Sequence, residues 1–215
     1  MVYKPKQITR VVFGLFLFAL GIVMTVNANL GVSPWDVFHQ GLSKTFGITL
    51  GRANIITGLF IIGLDVVLGQ TIGWATIMNM LLIGTFIDIL MLNNLVPVFD
   101  SFIPSLIMLL LGVLIEGYGC FIYISGGMGA GPRDGLMVVL TRRTGKSVRV
   151  IKSAIEVIVV TVGIFLGGKF GIGTLIMALF GGMIFQFAFK TVNFKVNQVQ
   201  HRFIQDDLKL LKGGA

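Results

Sequence analysis

The sequence predicts an all-α integral membrane protein of six transmembrane helices. These form two inverted three-helix repeats, each with a short re-entrant or interfacial helix. Three observations lead there. The 215 residues are 55% hydrophobic and 12% charged, about half the charge of a soluble domain. The apolar runs approach or reach the ~20 residues that carry a helix across about 30 Å of hydrocarbon. A gapless offset of 98 residues brings one half of the chain onto the other.

Spans are expected at residues 8–28, 51–69, 74–92, 102–125, 148–168 and 172–191. The first follows Lys4, Lys6 and Arg10 and so also fits a signal peptide. Its length is enough to cross and it belongs to the repeat, so it is read as the first helix. Segments 34–46 and 132–145 are too short and too polar to span, and each opens on a proline, favoured in a first helical turn. In the former, Trp35, Phe38, Leu42 and Phe46 recur at helical spacing, with Asp36, His39, Gln40, Ser43 and Lys44 around the rest of the turn. A dozen residues cover roughly 18 Å as a helix, less than a bilayer core. The last part of the chain, 192–215, mixes Lys195, Arg202, Lys209 and Lys212 with Val196, Val199, Phe203 and Leu210. It is expected to be an amphipathic cytoplasmic helix that anchors on anionic lipid without chemistry of its own. The resulting units are 1–98, 99–191 and the 192–215 tail.

The net charge of +8 does not indicate a nucleic-acid partner, because the cations fall in the gaps between spans. Arg133, Arg142, Arg143, Lys146 and Arg149 follow the fourth span, while the opposite gaps hold only Lys44, Arg52 and Lys169. Under the positive-inside rule both ends of a six-span chain are then cytoplasmic. Cys120 is the single cysteine and lies in an apolar run, so no disulfide framework or cysteine-based metal site is possible within one chain. His39 and His201 are far apart in sequence and have no ligand-like neighbours. No metal or cofactor is expected. No phosphate-binding loop, His-Glu-x-x-His or Gly-x-Ser-x-Gly is present, which argues against an enzyme.

The offset pairs Gly14 with Gly112, Gly21 with Gly119, Gly31 with Gly129, Pro34 with Pro132, Asp36 with Asp134 and Gly47 with Gly145. Gly69/Gly167, Gly73/Gly171, Thr76/Thr174 and Gly84/Gly182 continue the series. Three crossings per copy is an odd number, so the second copy enters the membrane upside down, the inverted repeat of many secondary transporters. The pathway would lie where the two halves meet.

The repeated corners are the candidate substrate site: Asn29, Ser33 and Asp36 in one half, Gly131, Arg133 and Asp134 in the other. Glycine-rich backbone there meets a helix start, whose free N–H groups and dipole receive anions, and Arg133 adds a formal charge. The same residues also read as plain caps, Ser33 as N-cap with Asp36 and Asp134 suiting the first turn; one residue can do both. Glu116 and Glu156, inside spans, are the candidate proton-coupling groups, because a carboxylate at the bilayer centre is costly without a cavity or partner. A structural pair with Arg133 or Lys152 is the competing reading. Asp65 and Asp88, nearer helix ends, are expected to be structural, and Asn27, Asn54 and Asn79 to join helices.

The run Asn29-Leu30-Gly31-Val32-Ser33-Pro34-Trp35-Asp36 after a first span resembles the YczE/YyaS/YitT group of bacterial integral membrane proteins. So does Gly129-Ala130-Gly131-Pro132-Arg133-Asp134-Gly135 after the fourth. The resemblance covers nearly the whole chain and implies a bacterial cytoplasmic-membrane protein, without supplying a substrate. The functional expectation is a small secondary transporter of an anionic or zwitterionic solute, set in membrane lipid. The small mass suggests a homodimer. The alternative is a non-transporting scaffold whose basic loop and tail recruit a cytoplasmic partner or anionic lipid.

Overall fold

The computed structural model describes residues 4–207. Among them are eight complete α-helices, one 3₁₀ turn and no strand, and residues 204–207 are helical as well. The order is α1 (Pro5–Asn27), α2 (Pro34–Phe46), α3 (Leu50–Val67), α4 (Trp74–Leu92), α5 (Phe102–Ile124), α6 (Pro132–Thr144), α7 (Val148–Phe165) and α8 (Ile172–Thr191), with the turn at Val196–Gln198. Helices α1, α3, α4, α5 and α8 are long and apolar enough to cross a membrane. Helix α7 has 18 residues but carries Arg149, Lys152 and Glu156, and its charge keeps it out of that set. Helices α2 and α6, at 13 residues each, are shorter still.

The outer surface is apolar. Phe60, Val67, Ile103, Phe165 and Leu179 are each two-thirds or more exposed. Water would not tolerate so continuous a greasy surface on a monomer, whereas lipid matches it. Inside, α1 lies along α5 around the fully buried Val11, Leu15, Ile22, Leu109 and Val113. Glycines set the separation. A Cβ on Gly14 would sit 2.9 Å from the Gly119 carbonyl oxygen, and one on Gly119 would sit 2.8 Å from that of Gly14. Gly21 and Gly112 face each other in the same way, at 2.6 and 2.9 Å.

The contact of Gly14 with Gly119 becomes that of Gly112 with Gly21 when each residue is moved by the 98-residue offset, so the partners trade places. Other contacts behave alike. The Gly173 N–H donates to the Leu30 carbonyl at 2.7 Å and the Ala75 N–H to that of Met128 at 2.8 Å. The Thr45 hydroxyl donates to the Leu166 carbonyl at 3.1 Å, and Arg143 Nη2 to the Leu68 carbonyl at 2.9 Å. Gly31 and Gly129, at φ +101° and +109°, press against Gly171 and Gly73 in the opposite half. Side chains disfavour that backbone region, and no Cβ would fit at either contact.

The halves differ at one crossing. A Cβ on Gly163 would meet the Phe38 nitrogen at 2.6 Å, so α7 rests on the backbone of α2. The equivalent position in α3 is Asp65, whose Oδ2 lies 2.6 Å from where a Cβ on Gly135 of α6 would be. A side chain therefore stands between α3 and α6 where the other half has backbone contact. The described part of the tail packs on the protein: the Arg202 N–H donates to Gly127 O and the Ile204 N–H to Ile72 O, at 2.9 and 3.0 Å. Trp74 Nε1 donates to Asp207 Oδ2 at 3.0 Å. Lys209, Leu210 and Lys212 of the expected anchor lie outside the described residues.

Candidate functional site

Helices α2 and α6 meet at their N-termini. Pro34 and Pro132 open them, and Ser33 caps α2, accepting the Asp36 N–H at 3.3 Å. The guanidinium carbon of Arg133, second residue of α6, lies 4.9 Å over the ring of Trp35, second residue of α2. These two positions are equivalent under the offset, so the cation–π pair marks where the halves face each other. Arg133 Nη2 also lies 3.4 Å from His39 Nε2, and His39 Nδ1 lies 3.1 Å from Asp36 Oδ1. Arg133 can only donate, so His39 Nε2 accepts, and Nδ1–H donates to Asp36. Ser33 completes the chain by donating to Asp36 Oδ2.

Glu116, about two-thirds of the way along α5, is within electrostatic reach of both Asp36 and Arg133. Its Oε1 is buried without a hydrogen-bond partner. On the α6 side, Asp134 Oδ2, the Tyr123 hydroxyl and Asn79 Nδ2 all lie within 3.4 Å of the Cβ position of Gly131. Arg133 thus stands among Asp36, Asp134 and Glu116, and Asp36 meets its charge from within the protein.

Burial alone would raise the Asp36 pKa, but the His39 hydrogen bond and the charge of Arg133 outweigh it and hold it below the ordinary carboxylate value. Burial, with Arg133 adding to it, pulls His39 below the ordinary imidazole value despite Asp36. Burial pushes Asp134 above the ordinary carboxylate value. The His39 shift fixes a sign. A folded pKa below the unfolded one contributes stability that is full above about pH 6.5 and is lost as pH falls through the folded pKa. Asp36 contributes in the same sense but only in the more acid range, below about pH 4. Asp134, raised by burial, contributes in the opposite sense, so the sign is read as a difference: the Tm of the purified protein, relative to that of His39→Gln, is expected to fall on acidification from about pH 7.5 to 5. Thermal scans at a series of pH values test it.

A cavity of about 750 Å³ opens beside this centre, reached by Arg133, Gly131, Asp134, Glu156 and Asp65. His201 and Phe203 of the tail also line it, a place the sequence did not indicate. A smaller cavity of about 270 Å³ lies at the other corner, with Gln40, Val98 and Lys169 in its wall. Under the offset these three correspond to Val138, Val196 and Thr71, which all line the large cavity. The two cavities are thus the same place in opposite halves.

Of the predicted site residues, Ser33, Asp36, Gly131, Arg133, Asp134 and Glu116 converge on the centre. Asn29 does not: it accepts from Lys169 Nζ at 2.9 Å, on the wall of the small cavity. Glu156 lines the large cavity but is paired with Lys152 at 3.7 Å, the competing reading given for it. Sequence reasoning missed Trp35, His39, Tyr123 and Asp65 as parts of the site. For Trp35 and Asp65 a signal existed, since the offset sets Trp35 against Arg133 and Asp65 against Gly163. The basic loop is less free than expected, because Arg142 and Arg143 are tied to the Gly69 and Leu68 carbonyls at the C-terminal end of α3.

Apolar helices enclosing a polar, hydrogen-bonded centre define a multi-pass helical membrane protein with an internal site. Residues 5–190 match the model of a family of unknown function, DUF6198, and the chain belongs to that family. It is similar to the uncharacterized membrane protein YczE of Bacillus subtilis strain 168, 38% identical over 192 residues, which cover 86% of this chain and 87% of that one. An uncharacterized protein of Haemophilus influenzae Rd is 31% identical over 182 residues, covering 85% and 83%. YyaS of Bacillus subtilis strain 168 is 25% identical over 177 residues, covering 80% and 86%. The resemblance to the YczE/YyaS group therefore holds. No solved structure matches.

Proposed function

We propose that this protein is a small secondary transporter of the bacterial cytoplasmic membrane, built as an inverted repeat of six spans with α7 as the sixth. One observation carries the reading: equivalent positions in the two halves line a cavity of about 750 Å³ on one side and one of about 270 Å³ on the other. Alternating access needs two equivalent half-sites of which one is open. The traded contacts of α1 with α5 and of each corner with the opposite half supply the symmetry. Helices α2 and α6 are re-entrant in this reading, because Asp36 and Arg133 in their first turns lie within electrostatic reach of Glu116 inside α5, and broken backbone at membrane depth is tolerated where it lines a cavity. The charges of α7 face the cavity through Lys152 and Glu156. By the positive-inside rule the large cavity faces the cytoplasm. Catalysis is not favoured: the Ser33 hydroxyl is held as the cap of α2 on Asp36, and His39 Nε2 faces Arg133, so no serine–histidine pair forms there.

Lys44 and Arg142 are exposed, equivalent positions at the far ends of α2 and α6. Single cysteines there, with Cys120 replaced, test the topology in intact cells. K44C is expected to react with a membrane-impermeant maleimide at once and R142C only after permeabilisation. Labelling of both from one side would remove the inverted repeat and leave the scaffold reading ahead.

Glu116 is the coupling group in this proposal, since its unpartnered oxygen can take or release a proton beside Arg133. Glu116→Gln is expected to fold with stability within about 1 kcal/mol of the parent. It is also expected to abolish solute-dependent proton movement in proteoliposomes carrying a pH-sensitive dye. Undiminished proton movement would rule Glu116 out as the coupling group.

A further inference from the structure

Asp65 has no relative exposure, yet it lines the large cavity, and neither of its carboxylate oxygens has a hydrogen-bond partner. A buried carboxylate without a partner is costly as an anion and holds a proton until something of opposite charge completes it. Packing does not explain it. The equivalent position in the other half is Gly163, which brings α7 onto the backbone of α2, whereas Asp65 stands between α3 and Gly135 of α6. The carboxylate replaces a close helix contact with cavity.

The remainder of the wall points to the sign and shape of the guest. Tyr123, Phe185 and Phe189 line the cavity, and ring faces attract cations, quaternary ammonium groups above all. The fixed cations offer little to an anion. Arg133 is matched by Asp36, with Asp134 and Glu116 also beside it, and Lys152 is paired with Glu156. Both short-helix N-termini already hold an internal carboxylate in their first turn, Asp36 and Asp134. The dipole ends that would receive an anionic solute are therefore occupied. A volume of about 750 Å³ suits a solute of drug-like or smaller size.

We propose that the large cavity binds an organic cation, an amine or quaternary ammonium, with Asp65 as its counter-ion and the aromatic wall around its apolar part. The inference rests on the transporter reading for its physiological meaning, but binding can be measured without transport. The full chain, purified in detergent, is titrated with benzyltrimethylammonium chloride. Tryptophan fluorescence and Tm are followed, and sodium benzoate and sodium chloride serve as controls. Saturable quenching and a raised Tm are expected with the ammonium alone. Asp65→Asn is nearly isosteric and removes an unpartnered buried carboxylate, so its ligand-free Tm is expected to equal or exceed the parent's while affinity falls roughly tenfold or more. Asp65→Glu is expected to retain binding. Gly135→Ala, whose methyl group would crowd Oδ2, keeps the charge and is expected to weaken binding too. Absence of saturable ammonium binding, equal binding by Asp65→Asn, or binding of benzoate in its place would overturn the assignment. Asp65-dependent ammonium binding with no flux of the same cation in proteoliposomes would uphold the site while removing the transporter reading.

Discussion

Gly119→Leu is expected to leave little or no folded protein. A Cβ at that position would lie 2.6 Å from the Phe18 nitrogen, 2.8 Å from the Gly14 carbonyl oxygen and 3.0 Å from the Phe18 Cα. All three are backbone atoms, so no side chain can rotate away. Helix α1 would have to leave α5, taking with it the contacts of Leu15, Ile22, Leu109 and Val113. Overpacking that side chains can absorb costs about 1–3 kcal/mol; a backbone clash at the central crossing belongs with the exceptional losses above about 4 kcal/mol. The readout is the monodisperse fraction on size exclusion after mild solubilisation, together with Tm. Gly181→Ala and Gly182→Ala are the matched controls, because no atom lies within 4 Å of a Cβ at either site. They are expected to be neutral or to gain up to about 1 kcal/mol from helix propensity. Equal loss in the controls would show general intolerance of substitution and no special role for the crossing.

The second large effect is expected at Arg133. Arg133→Gln leaves Asp36, Asp134 and Glu116 facing one another without the guanidinium, and breaking a buried charge set by deleting one partner costs about 3–5 kcal/mol. Arg133→Lys keeps the charge but loses the planar group that lies over Trp35 and reaches His39, so it is expected to restore only part of the stability. The double variant Arg133→Gln with Glu116→Gln removes one carboxylate along with the cation. It is expected to be more stable than Arg133→Gln alone, by about 1–3 kcal/mol if the two groups are coupled. Additive losses in that double-mutant cycle would mean that Glu116 and Arg133 do not sense each other. Unfolding in graded detergent denaturation supplies all four corners of the cycle.

Both effects arise from residues whose importance could be seen in different degrees beforehand. Gly14, Gly21, Gly112 and Gly119 stand out through the 98-residue offset alone, and that they face each other is what two copies trading contacts would give. The convergence of Ser33, Asp36 and Arg133 was legible for a related reason: repeated Pro-x-Asp corners place helix starts, and helix starts gather polar groups. The partners that complete the cluster were not. His39 looked isolated because Arg133 lies 94 residues away in the chain. Asp65 passed for a structural charge near a helix end, since nothing local separates a solvated carboxylate from a buried one.

The sequence by itself determined the helical membrane class, the order of the long and short helices, the 98-residue offset and the two corners. Those features depend on local hydrophobic length, on proline and glycine chemistry, and on similarity between halves, all of which are written along the chain. Only the tertiary structure decided that Trp35 and Arg133 stack across the halves and that Asn29 belongs to the small cavity. It alone turned the described part of the tail onto the corner loop. It also decided that Glu156 is paired while Asp65 is not. Whether a buried charge has a partner depends on distances across elements far apart in sequence. The energy at stake scales with those distances and with the exclusion of water, and neither can be read from the order of residues.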